Sequence, residues 1–478
     1  MKETNKISTG VAGLDEILKG GLIPRKSYLI KGGPGTGKSS FGYHFLERAL
    51  KDGEEVLYIT LGETRKNIID NAAQLGIDLS GARFLDLTPD EDLYKNSKTY
   101  SVFSPAEVEQ EPIVASIEEA VEKFSPTCVF LDSITMLQSL NQDPFQKRNM
   151  VLSFIQFICN RDATLFITSE AFDKSSDMEA TFWVDGIIHA EYSSAWRKIS
   201  VSKYRGSDFL HGNHAFKIDD NGVTVFPRLR AGNYERSFLI EPISTGIDEL
   251  DKLLHGGIEK GTVTIISGPT GVGKTNFGIQ FAKEAASRGE RSVIYTFEES
   301  AEVLSKRSES IGVPVQAMLE SGNLKILSVE PLSYSPDEFA SIVRQDVEEN
   351  DTNIVIIDSV GGYGLSVREE NTLERLHSLA VYLQNMGVTT LLIHETANIT
   401  GQFETTGMNA SYLADNIIFL RYLELNGELR KAIGVLKKRM SDFERTIREF
   451  DITKDGLKVG GKLTKLRGIL TGLPESTH

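Results

Sequence analysis

Short apolar segments that end in polar residues alternate with amphipathic segments along this 478-residue chain. The first half contains SYLIKG, VLYITLGE, CVFLDS and TLFITSE, and the second half contains VTIISG, VIYTFEE, IVIIDS and TLLIHET. Apolar runs of this length, separated by helix-like stretches, are typical of strands that are buried on both faces of a parallel sheet. The pattern therefore predicts an α/β fold, with a mostly parallel sheet flanked by helices in each half.

The same pattern occurs twice because the chain contains an internal duplication. ISTGVAGLDEILKGGL begins at Ile7, and ISTGIDELDKLLHGGI begins 236 positions later at Ile243. A predicted helix in each half also keeps its apolar face, with Phe41, Phe45, Leu46, Ala49 and Leu50 matching Phe277, Phe281, Ala282, Ala285 and Ala286. These spacings suit an amphipathic helix on a sheet. The repeat lapses near FPRLRAGNYERSF, which predicts two domains, residues 1–232 and 233–478.

A glycine-rich segment lies between the first strand and this helix in each repeat. GGPGTGKS begins at Gly32 and GPTGVGKT begins at Gly268. Glycines at this spacing let backbone N–H groups surround a phosphate, and the helix N-terminus adds a favourable dipole. An incidental glycine-rich turn is the alternative, and the recurrence of the segment argues against it. We therefore predict two nucleotide-binding loops, formed by Gly35, Thr36, Gly37, Lys38, Ser39 and Ser40 and by Gly271, Val272, Gly273, Lys274, Thr275 and Asn276.

Oxygen-bearing side chains near these loops predict a magnesium site in each half. Ser39 and Thr275 follow the loop lysines, where a hydroxyl binds Mg²⁺ in phosphate-binding loops. Asp132 and Asp358 each follow four apolar residues of the third strand, a position that suits an acid holding the metal shell. The alternative is an aspartate that only caps the next turn.

Glutamates at the end of the second strand are the candidate catalytic bases. Glu63 in the first half aligns with Glu299 in the second, and both are placed to activate a water or hydroxyl group that faces a γ-phosphate. The second half has a pair, Glu298 and Glu299, where the first half has Gly62 and Glu63. This difference indicates that the two sites are not equivalent, although a solvated turn glutamate is the simpler alternative.

A Lys-x-Arg pair occurs late in each half, Lys203 with Arg205 and Lys437 with Arg439. Alternate residues of a strand share a face, so both cations of a pair can point the same way. Cations this far along the chain from their loop can serve the phosphate of a neighbouring subunit, as arginine fingers do. A solvated basic pair is the alternative.

Composition excludes several classes of protein. No apolar run approaches the roughly 18–20 residues that span a bilayer, and the start of the chain lacks a signal-peptide pattern. Two cysteines form no disulfide framework, so we expect a cytoplasmic protein. A net charge of −15 argues against a broad nucleic-acid surface. A DNA-acting motor remains an alternative that would need basic loops with aromatic residues, and no dense run of this kind occurs.

Together these motifs resemble the KaiC family of two-domain ATPases within the RecA-like group of P-loop proteins. The resemblance covers nearly the whole chain and rests on the doubled loop, TFEES, FLDSIT, IIDSVG, the Lys-x-Arg pairs and the stretch DNIIFLRYLELNGELRKAIGVLKKR. It implies tandem RecA-like domains, ATP and Mg²⁺ as ligands, and a double-tiered homohexamer with ATP between subunits. By the same resemblance, Lys203, Arg205, Lys437 and Arg439 reach the neighbouring subunit's nucleotide.

The resemblance also implies a division of labour between the domains. The first would hydrolyse ATP with Glu63, and the second would phosphorylate itself with Glu298 as the base and Glu299 beside it. The acceptor pair of the family falls on Ser411 and Tyr412, where the tyrosine departs from the family's Ser-Thr pair, so we expect modification of Ser411 alone. A nucleotide-gated scaffold without kinase activity is the alternative.

Two further departures bear on partners. Met440 replaces the glycine that the family has after the Lys-x-Arg pair, whereas Gly206 retains it in the first half. The sequence ends at LTGLPESTH, without the longer family tail that binds KaiA, which argues against control by KaiA. A KaiB-like partner stays compatible with the sequence. The resemblance implies that this chain acts in circadian or related signalling.

Overall fold

The computed structural model describes residues 6–88, 105–139, 143–170, 178–193, 196–330, 332–366, 372–396, 412–425, 427–464, 466–469 and 475–476. The chain divides into two compact units, Met1–Arg228 and Leu229–His478. In the second unit, Leu229 lies in a hydrophobic core and Tyr234 packs edge-on against Tyr382. The observed division thus follows Arg228, while the predicted domain boundary after residue 232 stays a prediction.

The first unit alternates strands and helices and then adds consecutive strands. Its described helices are α1 Leu14–Ile17, α2 Lys38–Lys51, α3 Arg65–Gln74, α4 Pro105–Phe124, α5 Ile134–Ser139, α6 Pro144–Cys159 and α7 Met178–Trp183. Its described strands are β1 Ser27–Gly32, β2 Val56–Thr60, β3 Arg83–Asp86, β4 Cys128–Asp132, β5 Thr164–Glu170, β6 Gly186–Ser193, β7 Trp196–Tyr204, β8 His214–Asp219 and β9 Gly222–Phe226.

The second unit repeats this order after a short 3₁₀ helix, Ala231–Asn233. Its described helices are α8 Asp248–Leu253, α9 Lys274–Ser287, α10 Ala301–Glu309, α11 Val315–Glu320, α12 Pro336–Glu348, α13 Val360–Ser366 and α14 Thr372–Asn385. Its described strands are β10 Pro242–Ile243, β11 Ile258–Glu259, β12 Val263–Gly268, β13 Arg291–Thr296, β14 Leu324–Ser328, β15 Thr352–Asp358, β16 Thr389–Glu395, β17 Asn416–Leu425, β18 Glu428–Lys438, β19 Arg448–Thr453, β20 Gly456–Lys462, β21 Leu466–Arg467 and β22 Glu475–Ser476.

The main sheets of the two units have the same topology. The strand orders are β3-β2-β4-β5-β1-β6-β7-β8-β9 and β14-β13-β15-β16-β12-β17-β18-β19-β20. The first six strands of each order are parallel, and the last three pair antiparallel. The predicted tandem α/β architecture with mostly parallel sheets is therefore confirmed. The antiparallel extension of each sheet is a feature that the sequence pattern did not predict.

Burial on both faces explains the continuous apolar strands. In β1, Leu29 and Ile30 are both fully buried but lie in different hydrophobic cores, because successive strand residues point to opposite faces. Ile265 and Ile266 divide in the same way between the two cores of the second unit. Each such side chain contributes roughly 1.5–3 kcal/mol when fully buried. Hydrophobic burial thus fixes β1 and β12 at the centre of their sheets.

The parallel register brings the predicted site residues to one edge of each sheet. In the first unit Gly32 lies opposite Glu170, and Thr60 lies opposite Asp132. The second unit repeats both pairings, with Gly268 opposite Glu395 and Thr296 opposite Asp358. Ligands of such sheets bind at the carboxyl ends of the strands, which is where these residues meet. Within the described ranges, no helix is long and apolar enough to cross a bilayer.

Candidate functional site

The first glycine-rich loop joins β1 to α2 and uses glycines where the backbone requires them. Gly35 and Gly37 have φ angles of 73° and 90°, in the left-handed region that favours glycine. A Cβ atom on Gly37 would also lie 2.3 Å from the Ile218 side chain. Within the loop, the Thr36 hydroxyl donates to the Gly33 carbonyl at 2.9 Å. The loop therefore presents backbone N–H groups at the start of α2, with Ser40 in its first turn.

The lysine of this loop is held over the loop itself. Lys38 Nζ donates hydrogen bonds to the carbonyl oxygens of Gly32 and Gly33 at 2.9 and 3.0 Å. Burial lowers the pKa of Lys38, and the nearby carboxylates of Glu170 and Asp132 oppose that shift. The ammonium group is thus held against the carbonyl oxygens of its own loop, and its contact with a phosphate stays a prediction.

The predicted metal-binding pair of the first unit is in direct contact. Ser39 Oγ donates to Asp132 Oδ2 at 2.6 Å, although the two residues are 93 positions apart. Thr168 Oγ1 donates to the other oxygen at 2.5 Å, and the Tyr58 hydroxyl approaches Oδ2 at 3.3 Å. Three hydroxyl groups therefore orient the Asp132 carboxylate beside the loop.

The second unit has the same central contact with fewer supports. Thr275 Oγ1 donates to Asp358 Oδ2 at 2.6 Å. Among the described side chains, Thr275 is the one that donates a hydrogen bond to this carboxylate. Burial raises the pKa of Asp358, the Thr275 hydrogen bond lowers it, and the negative charges of Glu298 and Glu299 raise it further. The carboxylates of the glutamate pair thus act on the charge of the predicted metal ligand.

The second glycine-rich loop joins β12 to α9. Gly271 and Gly273 have φ angles of 74° and 117°, and the Val272 side chain is fully buried. Lys274 is 8% exposed and donates to the Pro269 carbonyl at 2.8 Å. Burial lowers the pKa of Lys274, against the nearby carboxylates of Glu395, Asp358 and Glu298. This lysine is therefore surrounded by acid, as its first-unit counterpart is. The loop ends at Asn276, whose buried Oδ1 has no hydrogen-bond partner among the described residues.

Glu63 lies beyond the end of β2 and is held by a neutral partner. Asn71 Nδ2 donates to Glu63 Oε1 at 2.6 Å, and the Thr60 hydroxyl donates to the Glu63 carbonyl at 2.6 Å. Burial raises the pKa of Glu63, the Asp132 charge raises it further, and the Asn71 hydrogen bond opposes both. A carboxylate with a raised pKa is better suited to accept a proton near neutral pH.

The glutamate pair of the second unit is divided between two partners. Ser359 Oγ donates to Glu298 Oε1, and Arg307 Nη1 pairs with Glu299 Oε1 at 2.7 Å. Glu299 Oε2 is buried and has no hydrogen-bond partner within the described part of the chain. The two adjacent glutamates therefore differ in environment, since one meets a hydroxyl group and the other meets a cation.

Lys203 and Arg205 point in the same direction, as their spacing predicts. Lys203 Nζ donates to the carbonyls of Thr181 and Phe182 at 2.8 and 3.1 Å. Arg205 Nη2 donates to the same Phe182 carbonyl at 3.3 Å. Burial and the charge of Arg205 lower the pKa of Lys203, and Asp185 opposes this. Both cations thus gather at the C-terminal end of α7.

The second pair repeats this placement with different partners. Lys437 Nζ donates to the Ala414 carbonyl at 2.6 Å, and Arg439 Nη1 lies 3.5 Å from Asp415 Oδ1. Met440, next along the chain, is 52% exposed. Lys203 lies opposite Ile187 of β6 and Lys437 lies opposite Ile417 of β17, so the two pairs occupy equivalent strand positions. Their contact with a neighbouring subunit's nucleotide stays a prediction.

The predicted phosphorylation sites fall at the edge of the described structure. Ser411 lies outside the described residues. Tyr412 is 48% exposed, and its ring lies 5.7 Å from the His377 ring. The tyrosine hydroxyl therefore belongs to an exposed side chain, and modification of either residue stays a prediction.

Sequence reasoning missed the side chains that hold the predicted acids. Asn71 and Arg307 bind the aligned glutamates, Thr168 binds Asp132, and Ser359 binds Glu298. The duplication carried one usable signal, because Asn71 and Arg307 are themselves 236 positions apart. The contact of Ser359 with Glu298 had no such signal, since the residues are 61 positions apart and only the parallel sheet brings them together.

The donor groups of each site suit a magnesium nucleotide. Hydroxyl and carboxylate oxygens are the ligands that Mg²⁺ prefers, and Ser39–Asp132 and Thr275–Asp358 supply one of each. A lysine, half-buried in the first site and buried in the second, and two left-handed glycines lie beside each pair, and they provide the positive charge and backbone N–H groups that a triphosphate needs.

Each of the two mostly parallel sheets places a glycine-rich loop, a hydroxyl–aspartate pair and a glutamate at one edge. These features define a tandem P-loop nucleotide-binding protein of the RecA-like class. The sequence profile of the family ATPase: KaiC matches residues 7–230 and 243–464. The chain therefore belongs to the KaiC ATPase family and is an ATP-binding protein of that type.

Curated relatives agree over the full length of the chain. The circadian clock oscillator protein KaiC of Picosynechococcus sp. is 28% identical over 491 residues, which covers 99% of this chain and 93% of the relative. The circadian clock protein KaiC3 of Synechocystis sp. is 28% identical over 488 residues, covering 99% and 95%. The circadian clock oscillator protein KaiC of Parasynechococcus marenigrum is 26% identical over 488 residues, covering 99% and 93%.

Proposed function

We propose that both units bind magnesium ATP, that the first hydrolyses it, and that the second transfers the γ-phosphoryl group to the protein itself. The observation that carries the proposal is the repeated contact between the loop hydroxyl and the strand-end aspartate, 2.6 Å from Ser39 to Asp132 and from Thr275 to Asp358. This pair adjoins a buried or half-buried lysine in both halves, so both loops retain the groups that phosphoryl transfer requires.

The residues of each loop bind and orient the triphosphate. Lys38 and Lys274 contact the β- and γ-phosphates, and the loop N–H groups surround them. Ser39 with Asp132, and Thr275 with Asp358, hold the metal ion. When bound, Mg²⁺ neutralises charge that develops on the phosphate oxygens. Positioning and charge supply most of the catalysis in reactions of this class.

In the first unit, Glu63 accepts a proton from the attacking water. The water oxygen forms a bond to the γ-phosphorus while the bond between that phosphorus and the β–γ bridging oxygen breaks. The bonding electrons stay on ADP, and inorganic phosphate leaves. The raised pKa of Glu63 favours proton acceptance, because a carboxylate with a higher pKa is a stronger base.

In the second unit, Glu298 accepts the proton of the acceptor hydroxyl. The acceptor oxygen replaces ADP on the γ-phosphorus, so the products are ADP and a phosphorylated side chain. We assign Ser411 as the acceptor and Tyr412 as the weaker candidate, since a tyrosine hydroxyl stands further from its backbone than a serine hydroxyl does. Single phosphorylation at Ser411 is the outcome we propose.

Self-association completes the proposal. We infer a homohexamer with ATP at subunit interfaces, in which Lys203, Arg205, Lys437 and Arg439 reach the neighbour's nucleotide. The relatives are named as circadian clock proteins, which supports a role in circadian or related signalling. We expect this role in the cytoplasm, as the scarcity of cysteines suggests. Partners other than the chain itself would include a KaiB-like protein, and we expect neither nucleic acid nor membranes among them.

Intact-mass measurement after incubation with magnesium ATP, followed by peptide mapping, tests the proposal. One added phosphate on Ser411, with ADP accumulating, is the expected result. Ser411→Ala should remove the added mass while ADP release by the first unit continues. An unchanged wild-type mass with ADP still forming would refute the kinase activity and leave a tandem ATPase that acts as a nucleotide-gated partner switch.

A further inference from the structure

The aligned glutamates of the two units have partners of different charge. Glu63 and Glu299 occupy equivalent positions, and so do Asn71 and Arg307 eight residues after them. Asn71 lies on α3, the helix after β2, and Arg307 lies on α10, the helix after β13. The duplication has therefore kept the contact to the glutamate while replacing a neutral amide with a guanidinium.

The contact in the second unit is close and partly shielded from water. Arg307 Nη1 and Glu299 Oε1 are 2.7 Å apart, and their side chains are 38% and 34% exposed. Arg307 Nε and Nη2 are buried without hydrogen-bond partners in the described chain, as is Glu299 Oε2. The geometry is that of a monodentate ion pair between two groups that have few other partners.

An ion-paired carboxylate is a poor general base. If Glu299 accepted a proton, Arg307 would lose its counter-charge in a partly buried position, which is unfavourable. Glu298 has no such restraint, since its described partner is the neutral hydroxyl of Ser359. Asn71 restrains Glu63 by a hydrogen bond alone, which leaves that glutamate available as a base.

We propose that Arg307 is a positioning residue that ties Glu299 in an ion pair and so assigns proton acceptance in the second unit to Glu298. The assignment rests on the proposed function, in which the second unit carries out phosphoryl transfer. With asparagine at position 307, Glu299 would have the environment of Glu63, and either glutamate could accept the proton.

A comparison of glutamate dependence tests this role. All proteins carry Glu63→Gln, so that turnover reports on the second unit. Four proteins are compared: the one with no further change, Arg307→Asn, Glu298→Gln, and the combination of Arg307→Asn with Glu298→Gln. ADP formation and covalently bound phosphate are measured under saturating magnesium ATP. In the Arg307 background, Glu298→Gln should reduce turnover about 100-fold, the effect of losing a general base.

In the Arg307→Asn background, the same Glu298→Gln change should cost less than about fivefold, because Glu299 takes over. Arg307→Lys keeps the positive charge and should retain the full dependence on Glu298, which a purely structural role would not require. Equal losses in the arginine and asparagine backgrounds would overturn the role of Arg307 alone. Absence of both ADP and phosphoprotein from the Glu63→Gln protein would refute the proposed catalysis of the second unit, and the Arg307 role with it.

Discussion

The two halves share a fold and a phosphate loop but surround their strand-end aspartates differently. Among the described side chains, Thr275 donates the one hydrogen bond to Asp358, and burial raises the pKa of this carboxyl group. Asp132 accepts hydrogen bonds from three hydroxyl groups, those of Ser39, Tyr58 and Thr168. The Asp132 carboxylate therefore has three described hydroxyl donors where Asp358 has one, although the loops beside them are closely similar in sequence.

The glutamates of the two units also differ in number and in the side chains that contact them. The first unit has Glu63 alone, held by the amide of Asn71. The second unit has an additional glutamate and a cation, with Glu298 bonded to Ser359 and Glu299 paired with Arg307. The comparison teaches that duplication preserved the backbone and the phosphate loop, while side chains just beyond the strand ends changed the chemistry.

The largest effects on assembly and self-phosphorylation should come from replacing the loop lysines. Lys38→Ala should abolish ATP-dependent assembly, whereas Lys274→Ala should leave assembly intact and abolish self-phosphorylation, because each removes the cation of one loop. Loss of a preorganised charge of this kind costs about 10²–10³-fold in rate. Size-exclusion chromatography with ATP and intact mass measure the two outcomes.

Lys51→Ala is the matched control for Lys38→Ala, since Lys51 lies on the same helix and pairs with Glu47 at the surface. It should assemble and hydrolyse ATP as the unaltered chain does. If Lys38→Ala and Lys274→Ala instead produced the same defect, the proposed division of labour between the halves would be wrong.

The next effect concerns the catalytic glutamates. Glu63→Gln keeps the hydrogen bond to Asn71 but removes the base, and should reduce hydrolysis by the first unit about 100-fold. Glu298→Gln should reduce phosphate incorporation to a similar extent. The measurements are the rate of ADP release and the rate of labelling with γ-labelled ATP. Wild-type labelling by Glu298→Gln would show that the assigned base is incorrect.

Prediction from sequence succeeded where one local segment carries the information. Strand β5 spans Thr164–Glu170, which is the segment TLFITSE that the sequence pattern predicts as a strand. The position of the glycine-rich loops, between β1 and α2 and between β12 and α9, was predictable because glycine spacing and a following lysine describe a local structure. The antiparallel strands were not, because β7 reads WRKISVSKY and is only half-buried, so its polar residues resemble those of a surface loop.

The site was harder to predict because its contacts cross the sheet. Thr168 and Asp132 meet because β4 and β5 are neighbours in the sheet, and the two residues are 36 positions apart, so no single local segment contains their contact. Arg307 is different, because it lies eight residues from its partner and differs from Asn71 in a duplicated position. Aligning the two halves of the sequence is therefore enough to single out Arg307.

A smaller effect on hydrolysis should follow when the neutral partner of Glu63 in the first unit is replaced with a cation. Asn71→Arg should pair with Glu63 as Arg307 pairs with Glu299, and should reduce first-unit hydrolysis roughly three- to tenfold. An added cation also lowers the pKa of Glu63. Since the base works deprotonated, hydrolysis is lost as pH falls through that pKa, and the acid limb of the rate profile should move to lower pH.

Asn71→Gln is the matched control because it keeps a neutral amide donor of the same kind. Its profile should stay close to that of the unaltered chain, and both proteins are measured for ADP release from acid to neutral pH. An acid limb that moves to higher pH in Asn71→Arg would contradict the assignment of Glu63 as the titrating base.

The smallest effect, a change in magnesium requirement, should come from altering the side chains that donate hydrogen bonds to the strand-end aspartates. Thr168 is the fifth residue of β5 and Ile393 the fifth of β16, so Thr168→Val gives the first unit the apolar neighbour of the second. Losing this hydrogen bond costs roughly 1 kcal/mol, which corresponds to about a fivefold higher magnesium requirement for hydrolysis. Ile393→Thr should lower the magnesium requirement of the second unit, because a new donor would favour the Asp358 anion. Magnesium titrations that shift in neither unit would show that the supporting hydroxyl does not distinguish the two sites, and would leave the glutamate partners as the chemical difference between them.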